Sequence, residues 1–256
     1  MIILTNEEKK LLYTVQQARH SKTTISGRKQ DWGVDLAGAY RIQKVMGQGE
    51  EIKGYKLGLT SPAKQAQLCL DGPLYGPIYA RMLFNEPVPL HQFIQPRLEP
   101  EIVIMLDNDL PADASTEMIK KSIDGYYLGV DIIDSIWQNY RFTPVEVVAD
   151  NTSGGGFVLG KHANPTMPTG ILRLFIDGVL KAEGTLDVLG NPIEKIAWLA
   201  KTLNGLQAGH VFFLGSPFRS VPAEVGLLEI VVSEGKHGAS KLALTIKANM
   251  ERQSLL

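Results

Sequence analysis

Apolar residues recur along the chain first at helical and then at strand spacing. Thr5 followed three residues later by Glu8 has the form of a capping box, and Leu11, Leu12, Val15 and Ala18 continue it as one helical stripe. A second helix is predicted from Asp35 to Met46, ended by Gly47 and Gly49, and a third, short one by Ser61 as N-cap with Pro62 at its first position. Residues 1–70 therefore read as a largely helical region. From 71 to 256 the pattern changes to short β-rich segments at 102–106, 126–133, 156–160, 210–215, 227–232 and 241–246. Asp177-Gly178 between apolar flanks predicts a tight hairpin turn. One helix interrupts the strands: Asn191 caps it, Pro192 and Glu194 suit its first turn, and Ile193, Ile196, Ala197, Ala200 and Leu203 form its apolar stripe before Gly205. Without repeats or a low-complexity linker, the two regions read as one structural unit.

Composition narrows the function. The 26 basic and 27 acidic residues nearly cancel, so the chain lacks the basic field that nucleic-acid binders and polybasic membrane anchors use. No apolar run reaches the roughly 18 to 20 residues that span a bilayer. The single cysteine, Cys69, has no internal disulfide partner, and the first residues turn charged before an apolar signal core could form. A cytoplasmic protein is expected, with neither nucleic acid nor membrane as partner.

The candidate chemistry is acidic. Glu99 and Glu101 lie two apart at the start of an apolar strand, so both project from one face. Side by side they repel and are costly to desolvate, which a hard cation between them would relieve. For an isolated pair of this kind, two solvent-facing carboxylates would be the commoner arrangement. Asp131 and Asp134 change the balance, because they interrupt an apolar run that ordinarily excludes ionised groups. Asp131 could complete a three-carboxylate site; being three apart on an extended backbone, the two aspartates face opposite ways, leaving Asp134 as a structural acceptor. Lys56, among glycines and leucines, suggests a confined amine with a pKa lowered toward acid–base use, although a lone lysine is more often a surface side chain. The small, hydrogen-bonding stretch 147–156 would let backbone approach a ligand, and equally suits a turn into the next strand. No serine-hydrolase, nucleotide-binding or histidine metal motif is present.

KLGLTS at 56–61, IQPRLEPEI at 94–102, DIIDS at 131–135, VADNTS at 148–153 and LGNPIEKIAWLA at 189–200 together resemble, in this order, the 2-hydroxypentadienoate hydratases and 4-oxalocrotonate decarboxylases of the fumarylacetoacetate-hydrolase-like superfamily. The resemblance implies an α+β fold in which the helical N-terminal region packs on a mixed-β catalytic core. It also implies a homo-oligomer that acts on small unsaturated 2-oxo acids of aromatic meta-cleavage chemistry. Mg²⁺, or Mn²⁺, would be held by Glu99, Glu101 and Asp131, with Lys56 as the acid–base group. Ser61, Leu74, Asp150, Asn151 and Ser153 are expected to contact substrate.

Three positions depart from the family pattern: Asp131 stands for a glutamate, Ile136 for an arginine, and Leu74 for the acidic residue of the hydratases. Leucine at 74 fits the decarboxylases, whereas the IQPRLEPEI, FVLG and AWLA segments fit the hydratases. Hydration of the dienoate to a 4-hydroxy-2-oxo acid is the expected reaction, with Asp71 as the nearest replacement base. Decarboxylation, C–C hydrolysis of acylpyruvates and a catalytically silent binding protein are the alternatives.

Overall fold

The computed structural model describes residues 2–27, 31–60, 65, 70, 72–85 and 87–233, with the backbone of 240–249. Of the helix expected from Ser61, only Gln65 is among the described residues, and it is helical; Ser61 and Asp71 lie outside them. Helices α1 (Asn6–Ser21) and α2 (Leu36–Met46) form where the pattern predicts them. Thr5 Oγ1 accepts from the Glu8 amide at 3.2 Å and the Glu8 carboxylate accepts from the Thr5 amide at 3.1 Å, which satisfies two of the first turn's unpaired donors. Leu11, Val15 and Ala18 then bury against Ala39 and Ile42 of α2, over Ile136, Trp137 and residues 147–149.

Among the described part of the first seventy residues, one stretch expected to belong to a helical region is not helical. Ile52–Gly58 is a strand, β1, paired antiparallel with β2 (Leu74–Tyr79) and parallel with β9 (Val211–Phe213). Its period-two pattern is hidden because one face carries Gly54, Lys56 and Gly58 in place of apolar residues. Two short helices also escape the apolar period, α3 (Thr116–Lys121) and α4 (Pro144–Ala149). Capping places them: Ser115 caps α3, and Thr143 with Glu146 and Pro144 opens α4.

The remaining strands are β3 (Val88–Pro89), β4 (Arg97–Leu106), β5 (Ile123–Ile133), β6 (Gly154–Leu159), β7 (Ile171–Ile176), β8 (Val179–Thr185), β10 (Val221–Pro222), β11 (Gly226–Ser233) and β12 (Ser240–Asn249). They make two mixed sheets, ordered β2-β1-β9-β4-β5-β6 with β10 on β4, and β3-β12-β11-β7-β8. Leu98 and Ile102 of β4, Leu128, Val130 and Ile132 of β5, and Leu174, Ile230 and Val232 of the second sheet form one buried cluster that joins the sheets. The opposite face of β4 carries Glu99 and Glu101 and then Val103, which packs with Phe157 and Phe213. Helix α5 (Pro192–Leu203), capped by Asn191 and ended by left-handed Asn204, seats Ile193, Ile196 and Leu199 against Leu57, Ile104 and Phe212.

Candidate metal and substrate site

Strand register assembles the acidic cluster. β4 and β5 run antiparallel with Glu99 directly opposite Asp131, and cross-strand neighbours on one face have Cβ atoms roughly 5 Å apart. Glu101 is next on the same face, and one carboxylate oxygen from each of the three can be chosen within 4.8 Å of the others. Lys56 enters from β1, which reaches β4 through β9: Lys56 pairs with Phe213, and Phe213 with Val103. Its Nζ lies 2.7 Å from Asp131 Oδ2, and both side chains are buried. Asp131 thus joins residues from three separate stretches, whereas Asp134 turns away, as its spacing predicts.

Burial and charge act together here. Burial pulls the Lys56 pKa down, but Asp131, Glu99 and Glu101 outweigh it and raise it above its ordinary value. The expectation of a lowered lysine pKa is thereby corrected. Burial pushes Asp131 up to about 7 against the pull of Lys56, and lifts Glu101 well above the carboxylate range, with Asp131 and Glu99 adding to the rise. Burial is the larger cause for the two carboxyls and the neighbouring carboxylates the cause for the amine; three carboxylates beside one ammonium also leave excess negative charge, which favours protons and cations. Glu101 Oε2 accepts from the Gly215 amide at 2.7 Å, while Glu101 Oε1 and Asp131 Oδ1 are buried without a hydrogen-bond partner among the described residues. An oxygen-only set with unused buried lone pairs suits a hard divalent cation.

Above the cluster is a cavity of about 600 Å³ whose wall includes Lys56, Glu99, Arg97, Tyr140, Thr152 and Ser153. Arg97 donates through Nε to Ser220 Oγ at 2.8 Å and lies over the Tyr140 ring. The Tyr140 hydroxyl is 2.8 and 2.9 Å from the Gln95 and Ile133 carbonyls, and burial pushes its pKa up. Leu59, Ile133, Phe142 and Val147 supply apolar wall. Asn151, Thr152 and Ser153 are all left-handed, with φ of 50, 52 and 56°, a conformation unusual for non-glycine residues and most of all for a β-branched one. This turn brings Ser153, whose hydroxyl has no partner among the described residues, to the cavity wall.

Other expected contacts lie elsewhere. Leu74 is 1% exposed and packs in the core beneath α1 and α2, so it is absent from the cavity wall. Asp150 is engaged by Arg19 Nε at 2.8 Å and by the Ile136 amide at 3.0 Å. Asn151 donates to the Pro77 carbonyl and lines a separate cavity with Arg19 and Asp150. Ile136, expected to leave a missing charge, is fully buried among apolar side chains. A guanidinium comes from α1 instead: Arg19 bridges Asp150 and Asp134, whose Oδ1 also accepts from the Ile94 and Gln95 amides. Arg19 continues the row Leu11–Val15 at i+4, so a charged residue on a buried helical face was the overlooked signal. Sequence reasoning also passed over Arg97 and Tyr140, which only the packing brings to the cavity.

Relatives carry the same architecture. Residues 74–239 match the family model described as fumarylacetoacetate (FAA) hydrolase C-terminal. A 2-keto-4-pentenoate hydratase from Burkholderia vietnamiensis is 34% identical over 222 residues, covering 79% of this chain and 84% of its own. A 4-oxalocrotonate decarboxylase from a Pseudomonas species is 28% identical, covering 74% of this chain and 76% of its own. The solved 4-oxalocrotonate decarboxylase of Pseudomonas putida G7, complexed with magnesium and adipate, is 26% identical and superposes with a TM-score of 0.80 over 97% of this chain and all of its own. On a match spanning most of its length, and with relatives of this identity and coverage, the chain belongs to the fumarylacetoacetate hydrolase family.

Proposed function

We propose that this protein is a divalent-cation-dependent lyase that hydrates 2-hydroxypenta-2,4-dienoate-type acids to 4-hydroxy-2-oxo acids. The observation that carries the reading is the trio of half-buried Glu99 and buried Glu101 and Asp131, in which Glu101 Oε1 and Asp131 Oδ1 have no hydrogen-bond partner among the described residues, with Asp131 paired to Lys56 at the base of a cavity. The hydratase relatives favour water addition over the other lyase chemistries of the family. Mg²⁺, or Mn²⁺, would be held by the trio and would supply Lewis-acid stabilisation of negative charge developing on the 2-oxo acid.

Lys56, which pairs with Asp131 and lines the cavity, would give a proton to the substrate carbon skeleton as the dienol becomes the ketone. The Ser153 hydroxyl offers one hydrogen bond to bound substrate. Leu59, Phe142 and Val147 exclude bulk water along the chain of the acid. Water then adds its oxygen at C4 and a proton at C3, which requires a base near C4; Asp71 remains the candidate from sequence.

A second reading, decarboxylation of 4-oxalocrotonate-type acids, is favoured by one observation: among the described residues, Glu99 is the only carboxylate on the cavity wall. Loss of CO₂ needs no such base. Incubating the protein with Mg²⁺ and each acid separately, and weighing the products, tests both. A gain of one water from the dienoate supports the first reading, loss of CO₂ from 4-oxalocrotonate alone supports the second, and no turnover with Mg²⁺ or Mn²⁺ overturns both.

The reading includes a homo-oligomer. Val179, Leu180, Val225 and Leu227 are exposed near the β7–β8 hairpin and the start of β11, an apolar grouping that association would cover. A cytoplasmic location and a role in aromatic catabolism belong to the same proposal. No described helix is long and apolar enough to cross a membrane.

A further inference from the structure

We infer that Lys195 is a positioning residue for Glu101, acting through the Leu214–Gly215 peptide; the inference rests on the proposed cation site. Lys195 lies in the second turn of α5, on a helix anchored by Ile193 and Ile196 against the face of the sheet opposite the acidic cluster. Its Nζ donates to the Leu214 carbonyl at 2.7 Å, just past the end of β9. The amide of Gly215, the other end of that same peptide unit, donates to Glu101 Oε2 at 2.7 Å.

A planar trans peptide holds its C=O and N–H antiparallel, so the ammonium and the carboxylate grip one rigid plate from opposite sides. A cation on the carbonyl polarises the plate and strengthens the N–H as a donor. The consequence is orientation. One oxygen of Glu101 is tethered, leaving Oε1, which is buried and has no hydrogen-bond partner among the described residues, as its free ligand atom. The turn tolerates little change: Gly215 has φ of 98°, and a Cβ there would come within 2.7 Å of Thr60 Oγ1. Burial also pushes the Lys195 amine down to about 8, with Glu101 pulling it back up, which is consistent with a confined cation facing that carboxylate.

The test is Mn²⁺ affinity measured by titration calorimetry on the full chain, alongside kcat and KM. Lys195→Met removes the ammonium and Lys195→Gln keeps a neutral donor. Lys201→Met changes an exposed lysine on the same helix and serves as control. Lys195→Met is expected to bind Mn²⁺ roughly three- to tenfold more weakly, with Lys195→Gln between it and the parent and Lys201→Met unchanged. Thermal melts without metal separate this from a general loss of structure, and Lys195→Gln carries the comparison if Lys195→Met does not fold. Affinity that is unchanged or tighter in folded Lys195 variants overturns the inference and leaves the cation site standing. Failure of the parent protein to bind Mn²⁺ or Mg²⁺ overturns the cation site and the inference with it.

Discussion

Lys56 and Asp131 show how one contact can serve charge balance and chemistry together. Both are buried, 2.7 Å apart; burial raises the Asp131 pKa against the pull of Lys56, while the surrounding carboxylates raise that of Lys56 against burial. Replacing the amine removes a proton donor but no oxygen ligand. Lys56→Met is therefore expected to lower kcat by about 10²-fold or more while Mn²⁺ still binds. Steady-state kinetics with a parallel metal titration checks this, and unchanged turnover would remove Lys56 from the mechanism. Asp131→Asn, which keeps the shape but removes a charged ligand, should have the reverse profile, with metal affinity the first quantity lost.

At the scale of elements, the Arg19 bridge ties α1 to the loop after β5 and to the end of α4. Asp134 and Asp150 are nearly inaccessible, and burial pushes Asp150 up to about 6 despite Arg19. Removing one partner from such a buried set strands the others. Arg19→Ala should destabilise the protein by about 3 kcal/mol in urea unfolding, near the low end of the range because the arginine remains partly exposed. Lys181→Ala, which breaks the partly exposed pair with Glu224, should change stability by less than about 1 kcal/mol. Equal effects would mean that the bridge does not hold α1 in place.

For the whole molecule, the acidic cluster makes stability depend on pH. Asp131 titrates near 7 in the folded protein against an ordinary value of 3.8, and Glu101 is raised as well, so the native state keeps protons that the unfolded chain has lost. Stability from these groups must then fall as pH rises from about 4 to about 7. In EDTA, Tm is expected to drop across that window more steeply in the parent than in Asp131→Asn. Added Mg²⁺ should restore Tm increasingly toward high pH, because protons and cation compete for the same oxygens. Parallel Tm profiles for the two proteins would contradict this origin. Light scattering tests the assembly: a mass several times 28.1 kDa is expected, and a monomer would remove the apolar grouping around Val179 and Leu227 as an interface.

Helix α1, helix α5, the Asp177-Gly178 hairpin and most strands were legible in the sequence because their signals are local: caps, turn residues, and apolar periods of 3.6 or two. The pairing of Glu99 with Glu101 on one face and the opposite facing of Asp131 and Asp134 were legible for the same reason. Strand β1 was not, since Gly54, Lys56 and Gly58 break the apolar alternation on the face that meets the site. Register was beyond the sequence too. That Asp131 stands opposite Glu99, that Arg19 reaches Asp134 and Asp150 from 115 and 131 residues away, and that Leu74 packs in the core away from the cavity are outcomes of long-range pairing. A carboxylate in an apolar run announces that it needs a partner; only the folded sheet decides which one, because the choice depends on how separate strands align and no local period records it.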